Sequence, residues 1–118
     1  MSLDIKRIIS SCFVLFLINT NQVTIAAEDR HLEPLKKATE KYGINIKSTF
    51  ASNCSWCHGI YGMKAGKGPQ LAGTKMTLEE TIERIANGKS GYMPGYLKTL
   101  GKEKVEALAN YIKMLPNE

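Results

Sequence analysis

A chain of 118 residues makes one domain at most, and with 43% hydrophobic residues it has material for a modest core only. Sixteen Lys and Arg against 11 Asp and Glu give a formal net charge of +5. That excess suits steering toward an acidic partner and is too small to argue for nucleic acid.

The chain opens with a secretory leader. Lys6 and Arg7 form a basic start, Ile8 to Ile18 an apolar run broken only by Ser10, Ser11 and Cys12, and small residues follow at Ala26-Ala27. This order predicts a signal peptide over residues 1–26, cleaved after Ala26 or Ala27, and hence a periplasmic protein. The apolar run is about half the roughly 20 residues of a spanning helix, so a retained anchor is the lesser alternative. Ile9-Ser10-Ser11-Cys12 superficially resembles a lipoprotein processing site, but its apolar stretch lies after the cysteine. Cleavage removes Cys12 and leaves Cys54 and Cys57, with 14 basic and 10 acidic residues, a net +4.

Residues 27–43 read as an N-terminal extension, either a short helix or a segment wrapping the domain. Pro34 suits a helix start, Leu35, Ala38 and Tyr42 share a side, and Gly43 is the stop. His31 reads as a solvated surface histidine, with a metal-ligand role as the alternative. Asn45 to Cys54 predicts a helix with Ile46 and Phe50 on one face.

That helix leads into Cys54-Ser55-Trp56-Cys57-His58. Two thiols three residues apart, with an imidazole directly after, form the attachment sequence of a c-type haem. Each sulfur adds across one vinyl group on a haem edge, and two intervening residues let one turn of backbone span it. His58 then lies under the iron as proximal ligand. Two cysteines this close make a poor scaffold disulfide, because the loop they close is tiny. Trp56 reads as a packing residue near the haem rim.

Gly59 to Thr74 carries five glycines, two lysines and Pro69, a composition that favours a loop. Glycines let backbone approach a flat ligand, and a carbonyl aimed at the free nitrogen of His58 would fix its ring. Pro69 is the candidate for that carbonyl. A phosphate-binding loop is excluded, since no glycine-lysine-serine/threonine run opens a helix here. Thr77-Leu78-Glu79-Glu80 is a capping box, and Leu78, Ile82 and Ile85 face the core of the helix it starts, which stops at Gly88.

Lys89 to Leu97 contains Met93 between a tyrosine and a proline, outside any helical period. A thioether is a soft sixth ligand for haem iron. Met1 goes with the leader, Met63 lies too soon after His58, Met76 precedes a helix cap and Met114 fits an apolar helix face, which leaves Met93. Tyr92 and Tyr96 read as walls of the haem pocket. Lys102 to Leu115 is an amphipathic helix built on Val105, Leu108, Ala109, Tyr111 and Ile112, closed by Pro116. The expected class is all-α: three or more helices with glycine-rich loops around a covalent haem.

In that order the motifs resemble the class I c-type cytochromes, small single-haem electron carriers. The resemblance covers Ile44 to Leu115, within a cytochrome c domain over residues 44–118. It rests on Cys54 to His58, Gly68-Pro69-x-Leu71-x-Gly73, Ile85-x-x-Gly88-Lys89 before Met93-Pro94, and Ala107-Leu108-Ala109-x-Tyr111-Ile112. It implies that Cys54 and Cys57 carry the thioether links to haem c, that His58 and Met93 are the axial iron ligands, and that Pro69 supports His58. It also implies a crossing of the first and last helices near Phe50 and Tyr111. The wording around Tyr61-Gly62-Met63 and Gly91-Tyr92-Met93-Pro94 is similar to cytochromes that accept electrons from periplasmic quinoprotein alcohol dehydrogenases. The resemblance implies a monomeric, non-enzymatic carrier between a donor dehydrogenase and an acceptor such as a terminal oxidase, with Lys64, Lys67, Lys89 and Lys98 in loops around the haem. The rivals are a haem enzyme or gas-binding protein with an open sixth site, and a thiol oxidoreductase or zinc module.

Overall fold

The computed structural model describes residues 31–117, so the leader lies outside the described residues. Within them are six α-helices and no strand, the all-α class expected.

Helix α1 (Leu32–Tyr42) carries Pro34 in its first turn, where the missing N–H has no intrahelical partner to lose. It buries Pro34, Leu35 and Ala38 and ends at Gly43, whose N–H bonds the Thr39 carbonyl. Helix α2 (Ile46–Asn53) starts from Asn45, whose side chain accepts the Ser48 N–H at 2.9 Å, and it buries Ile46 and Phe50. A single turn, α3 (Ser55–His58), follows directly, and a short 3-10 turn spans Ile60–Gly62.

The capping box forms as the sequence requires. Thr77 Oγ1 accepts the Glu80 N–H at 3.1 Å, and the Glu80 carboxylate accepts the Thr77 N–H at 2.7 Å. It starts α4 (Leu78–Asn87), which buries Thr81 and Ile85. A one-turn helix, α5 (Leu97–Leu100), precedes α6 (Lys102–Met114).

Helix α6 is the centre of the molecule. Its Val105, Leu108, Tyr111 and Ile112 are buried as the stripe predicts, and so is Ala107, which the stripe leaves out. The reason is that α6 is covered on more than one side, by α1, α2 and α4. Phe50 of α2 meets Tyr111 of α6 edge to face, ring centroids 5.6 Å apart. The segment read as an extension is therefore a packed helix, with Leu35 and Ala38 in the same core cluster as α6.

Candidate functional site

Local backbone geometry assembles the attachment residues. The Cys54 N–H still bonds the Phe50 carbonyl at 2.8 Å, closing α2, while the Cys54 carbonyl accepts the His58 N–H at 3.0 Å, opening α3. One turn therefore carries both sulfurs and the imidazole, directly after helix α2, which Phe50 pins to α6.

The loop after α3 folds back under the imidazole. The Gly68 N–H bonds the Cys57 carbonyl at 2.7 Å, and the Pro69 carbonyl lies 2.7 Å from His58 Nδ1. A carbonyl oxygen can only accept, so Nδ1 carries the proton and Nε2 presents its lone pair. Gly68 is required by contact: a Cβ there would sit 2.8 Å from His58 Cε1. The ring itself is buried.

From the other side comes the turn at Lys89 to Met93, closed by paired backbone bonds of 2.8 Å between those two residues. Gly88 permits it: its φ is +73°, and a Cβ there would strike the Met93 carbonyl. Tyr96 anchors the segment to α2, its hydroxyl donating to the Asn53 carbonyl at 2.8 Å.

Between these walls lies a cavity of about 480 Å³, within the range of cofactor sites. Cys54, Cys57, His58, Pro69 and Met93 all line it. Leu108 and Ile112 of α6 form part of its apolar floor. Cys54 and Cys57 are free thiols, and burial together with the neighbouring Cys57 pushes the Cys54 thiol up to about 11. Burial, then both cysteines, also raises Tyr96.

The donor set fits a haem c. It combines two thiols on one turn, an imidazole in the tautomer that coordinates through Nε2, the thioethers of Met93 and Met76 on the wall, and a largely apolar chamber. The charged residues on the wall are Lys67, Arg84 and Lys89, with no carboxylate among them, which suits two propionates. Zinc fits poorly, because no group of three His, Cys, Asp or Glu residues comes together among the described residues. His31 is half-buried, stacked on Tyr61 with ring centroids 4.9 Å apart.

Some readings from the sequence need correction. Trp56 is 79% exposed and forms no part of the cavity wall; the Lys67 ammonium lies over its ring, 4.5 Å from the centroid. Of the two residues between the thiols, Ser55 is half-buried and Trp56 faces outward. Tyr92 lines the cavity yet is 83% exposed, so it stands at the mouth. Met114, at the last position of α6, is 37% exposed. Arg84, which sequence reasoning passed over, also lines the cavity, and so does Met76, which was set aside as an iron ligand because it precedes a helix cap. Arg84 is the helix neighbour of buried Ile85, whereas Met76 sits in irregular chain, where no period tells which way it faces.

An all-helical fold around this cavity, entered by the attachment turn, defines a c-type cytochrome domain of electron transfer. The family model for cytochrome c oxidase, cbb3-type, subunit III matches residues 44–112, and the chain belongs to that family. Among curated proteins it is 33% identical over 82 residues to the cbb3-type cytochrome c oxidase subunit CcoP of Azospirillum brasilense, covering 58% of this chain and 27% of that protein. It is 40% identical over 60 residues to the menaquinol:cytochrome c reductase cytochrome c subunit of Geobacillus thermodenitrificans, covering 51% of this chain and 23% of that protein. The chain thus spans about a quarter of the length of these relatives. No solved structure matches it. No helix among the described residues is long and apolar enough to cross a membrane.

Proposed function

We propose that this protein is a periplasmic single-haem carrier that moves one electron between a donor dehydrogenase and a downstream acceptor such as a terminal oxidase, with His58 and Met93 as axial ligands. The observation that carries this reading is the convergence of the attachment turn, the Pro69-held imidazole and Met93 on one cavity. When bound, haem c supplies a ferrous–ferric couple that passes electrons without bond making.

The chain's own residues do the rest. Cys54 and Cys57 hold the group covalently, so it stays with the carrier through repeated encounters. The Pro69 carbonyl fixes the His58 ring and raises its basicity, which stabilises the ferric state relative to a free imidazole. Met93, a soft ligand, works the other way and raises the potential. With His58 and Met93 both holding the iron, the group would change little between its two oxidation states. The same two residues would then exclude peroxide or a gas.

The donor named by the Tyr61-Gly62-Met63 and Gly91 to Pro94 wording is a quinoprotein alcohol dehydrogenase. The menaquinol:cytochrome c reductase relative supports a quinol-oxidising complex as the other donor class, and the oxidase relative supports an oxidase as acceptor.

Met93→Ala tests the reading. The matured wild type should be low-spin, with the weak near-infrared sulfur-to-iron band and slow cyanide binding. The variant should become high-spin and bind cyanide rapidly. A high-spin wild type would favour the haem-enzyme alternative, and an unchanged spectrum in the variant would reject Met93.

A further inference from the structure

Met93 is carried by a stretch with little hold on the rest of the protein. Of residues 89 to 97, Met93 and Tyr96 alone are half-buried, and the other seven are exposed. The turn is closed on itself: Lys89 and Met93 exchange two backbone bonds of 2.8 Å, and the Tyr92 N–H bonds the Lys89 carbonyl at 2.9 Å. None of these bonds ties the turn to a helix. A local opening that swings the whole turn away would leave all three intact.

What ties the turn down is Tyr96. Its N–H bonds the Ile85 carbonyl of α4 at 2.9 Å, and its hydroxyl donates to the Asn53 carbonyl of α2 at 2.8 Å. Among the described residues, every hydrogen bond from residues 89–96 to α2 or α4 passes through this one residue. At the neighbouring Gly95 the chain already presses on the end of α4, where an added Cβ would lie 2.7 Å from the Ala86 carbonyl.

The end of α2 supplies the acceptor. Asn53 is the last residue of that helix, and the amide four residues on, that of Cys57, bonds the Cys54 carbonyl instead, at 3.2 Å. The Asn53 carbonyl is thus one of the orphaned groups that a helix end leaves, and the Tyr96 hydroxyl satisfies it across 43 positions of sequence. Asn53 directly precedes Cys54, and both Asn53 and Tyr96 line the chamber. One bond therefore links the backbone that carries the sulfurs and His58 to the residue three past Met93.

We propose that Tyr96 is a positioning residue for the sixth iron ligand: its hydroxyl straps the Met93 turn to the attachment helix and so sets how often Met93 lets go of the iron. This rests on the reading of Met93 as an axial ligand. A neutral, soft thioether holds ferric iron weakly, and what keeps it in place is its effective concentration there. That concentration falls whenever the segment bearing it swings free. Without the hydroxyl, the ring still fills its place on the chamber wall, but the Asn53 carbonyl has no donor. The open population should then rise about tenfold.

The test is cyanide binding to the matured ferric protein at saturating cyanide, where the observed rate is that at which Met93 leaves. Wild type is compared with Tyr96→Phe and Tyr111→Phe. Both variants lose a phenol-to-carbonyl bond of near-equal length, 2.8 Å and 2.7 Å, but Tyr111 serves the Tyr61 carbonyl and is no part of the chamber wall. Tyr96→Phe should keep the low-spin spectrum and the sulfur-to-iron band, and bind cyanide about tenfold faster. Tyr111→Phe should lower the denaturation midpoint yet bind cyanide at the wild-type rate. Amide exchange gives a second reading. In Tyr96→Phe the backbone amide at position 96, bonded to Ile85, should exchange about tenfold faster, while the Lys89 and Tyr92 amides, bonded inside the turn, should not change. Equal cyanide rates in wild type and Tyr96→Phe, or equal acceleration by Tyr111→Phe, would overturn the proposal. Either result with a low-spin wild type sinks only the strap, whereas a high-spin wild type sinks the axial role of Met93 and the strap with it.

Discussion

His58 is held from beneath by backbone alone, and that arrangement leaves almost no tolerance at Gly68. A methyl group there would lie 2.8 Å from Cε1 and 3.0 Å from Nδ1 of the ring. Gly68→Ala must therefore push the imidazole or the Pro69 carbonyl aside, an overpacking cost of about 1–3 kcal/mol. We expect a lower denaturation midpoint and a changed reduction potential in the matured variant, read by denaturant titration and by voltammetry. A variant that matches the wild type in both would mean that the loop yields freely. The need for glycine was legible in the sequence as a composition. Which glycine touches the ring was not, because residues 59 to 74 follow no period from which a contact could be counted. Trp56 went astray for the opposite reason. Its place between the thiols suggests packing near the haem rim, and only the way the one-turn helix faces leaves it 79% exposed beside Lys67.

Helix α4 begins where its sequence says it must, and the reciprocal bonds between Thr77 and Glu80 are local enough to be read without any fold. Thr77→Ala removes the hydroxyl acceptor and should cost about 1 kcal/mol, measured as a fall in denaturation midpoint with an unchanged slope. The crossing of α2 and α6 is a larger matter. Tyr111 packs on Phe50 and donates its hydroxyl to the Tyr61 carbonyl at 2.7 Å, clamping a residue whose φ of +53° is costly for a side chain of that size. Burial first, then Tyr61 and Cys54, raises the Tyr111 phenol above its ordinary value near 10. The folded state thus binds this proton more tightly than the unfolded chain does. The resulting stability is complete below about pH 10 and is lost as the pH climbs beyond it. Tyr111→Phe should flatten that alkaline decline. At neutral pH it should cost about 1–3 kcal/mol, because the Tyr61 carbonyl loses its donor. Stability curves at about pH 7 and about pH 11 check both halves.

At the scale of the whole fold, the described helices gather on α6 and leave a chamber of about 480 Å³ beside it. At about 24 cal/mol per Å³, a dry void of that size would cost roughly 12 kcal/mol, comparable to the entire stability of an ordinary domain. Water entering the chamber reduces the cost without removing it. The chain prepared without haem should therefore keep part of its helix content but lose fixed packing. That outcome would appear as reduced near-ultraviolet dichroism and rapid amide exchange in α2 and α4. Native-like protection in the haem-free chain would show that the helices α1, α2 and α6 suffice as a core.

The attachment turn, the capped helix α4 and the amphipathic stripe of α6 were determined by sequence alone, because each follows from bonds or periods spanning a few residues. The all-α class came with them. Tertiary structure decided what depends on distant segments meeting. It folded α1 into the core on α6, brought Arg84 and Met76 to the cavity wall, stood Tyr92 at its mouth and left Trp56 exposed. Burial is a property of what covers a residue, and no local pattern in the chain carries that information.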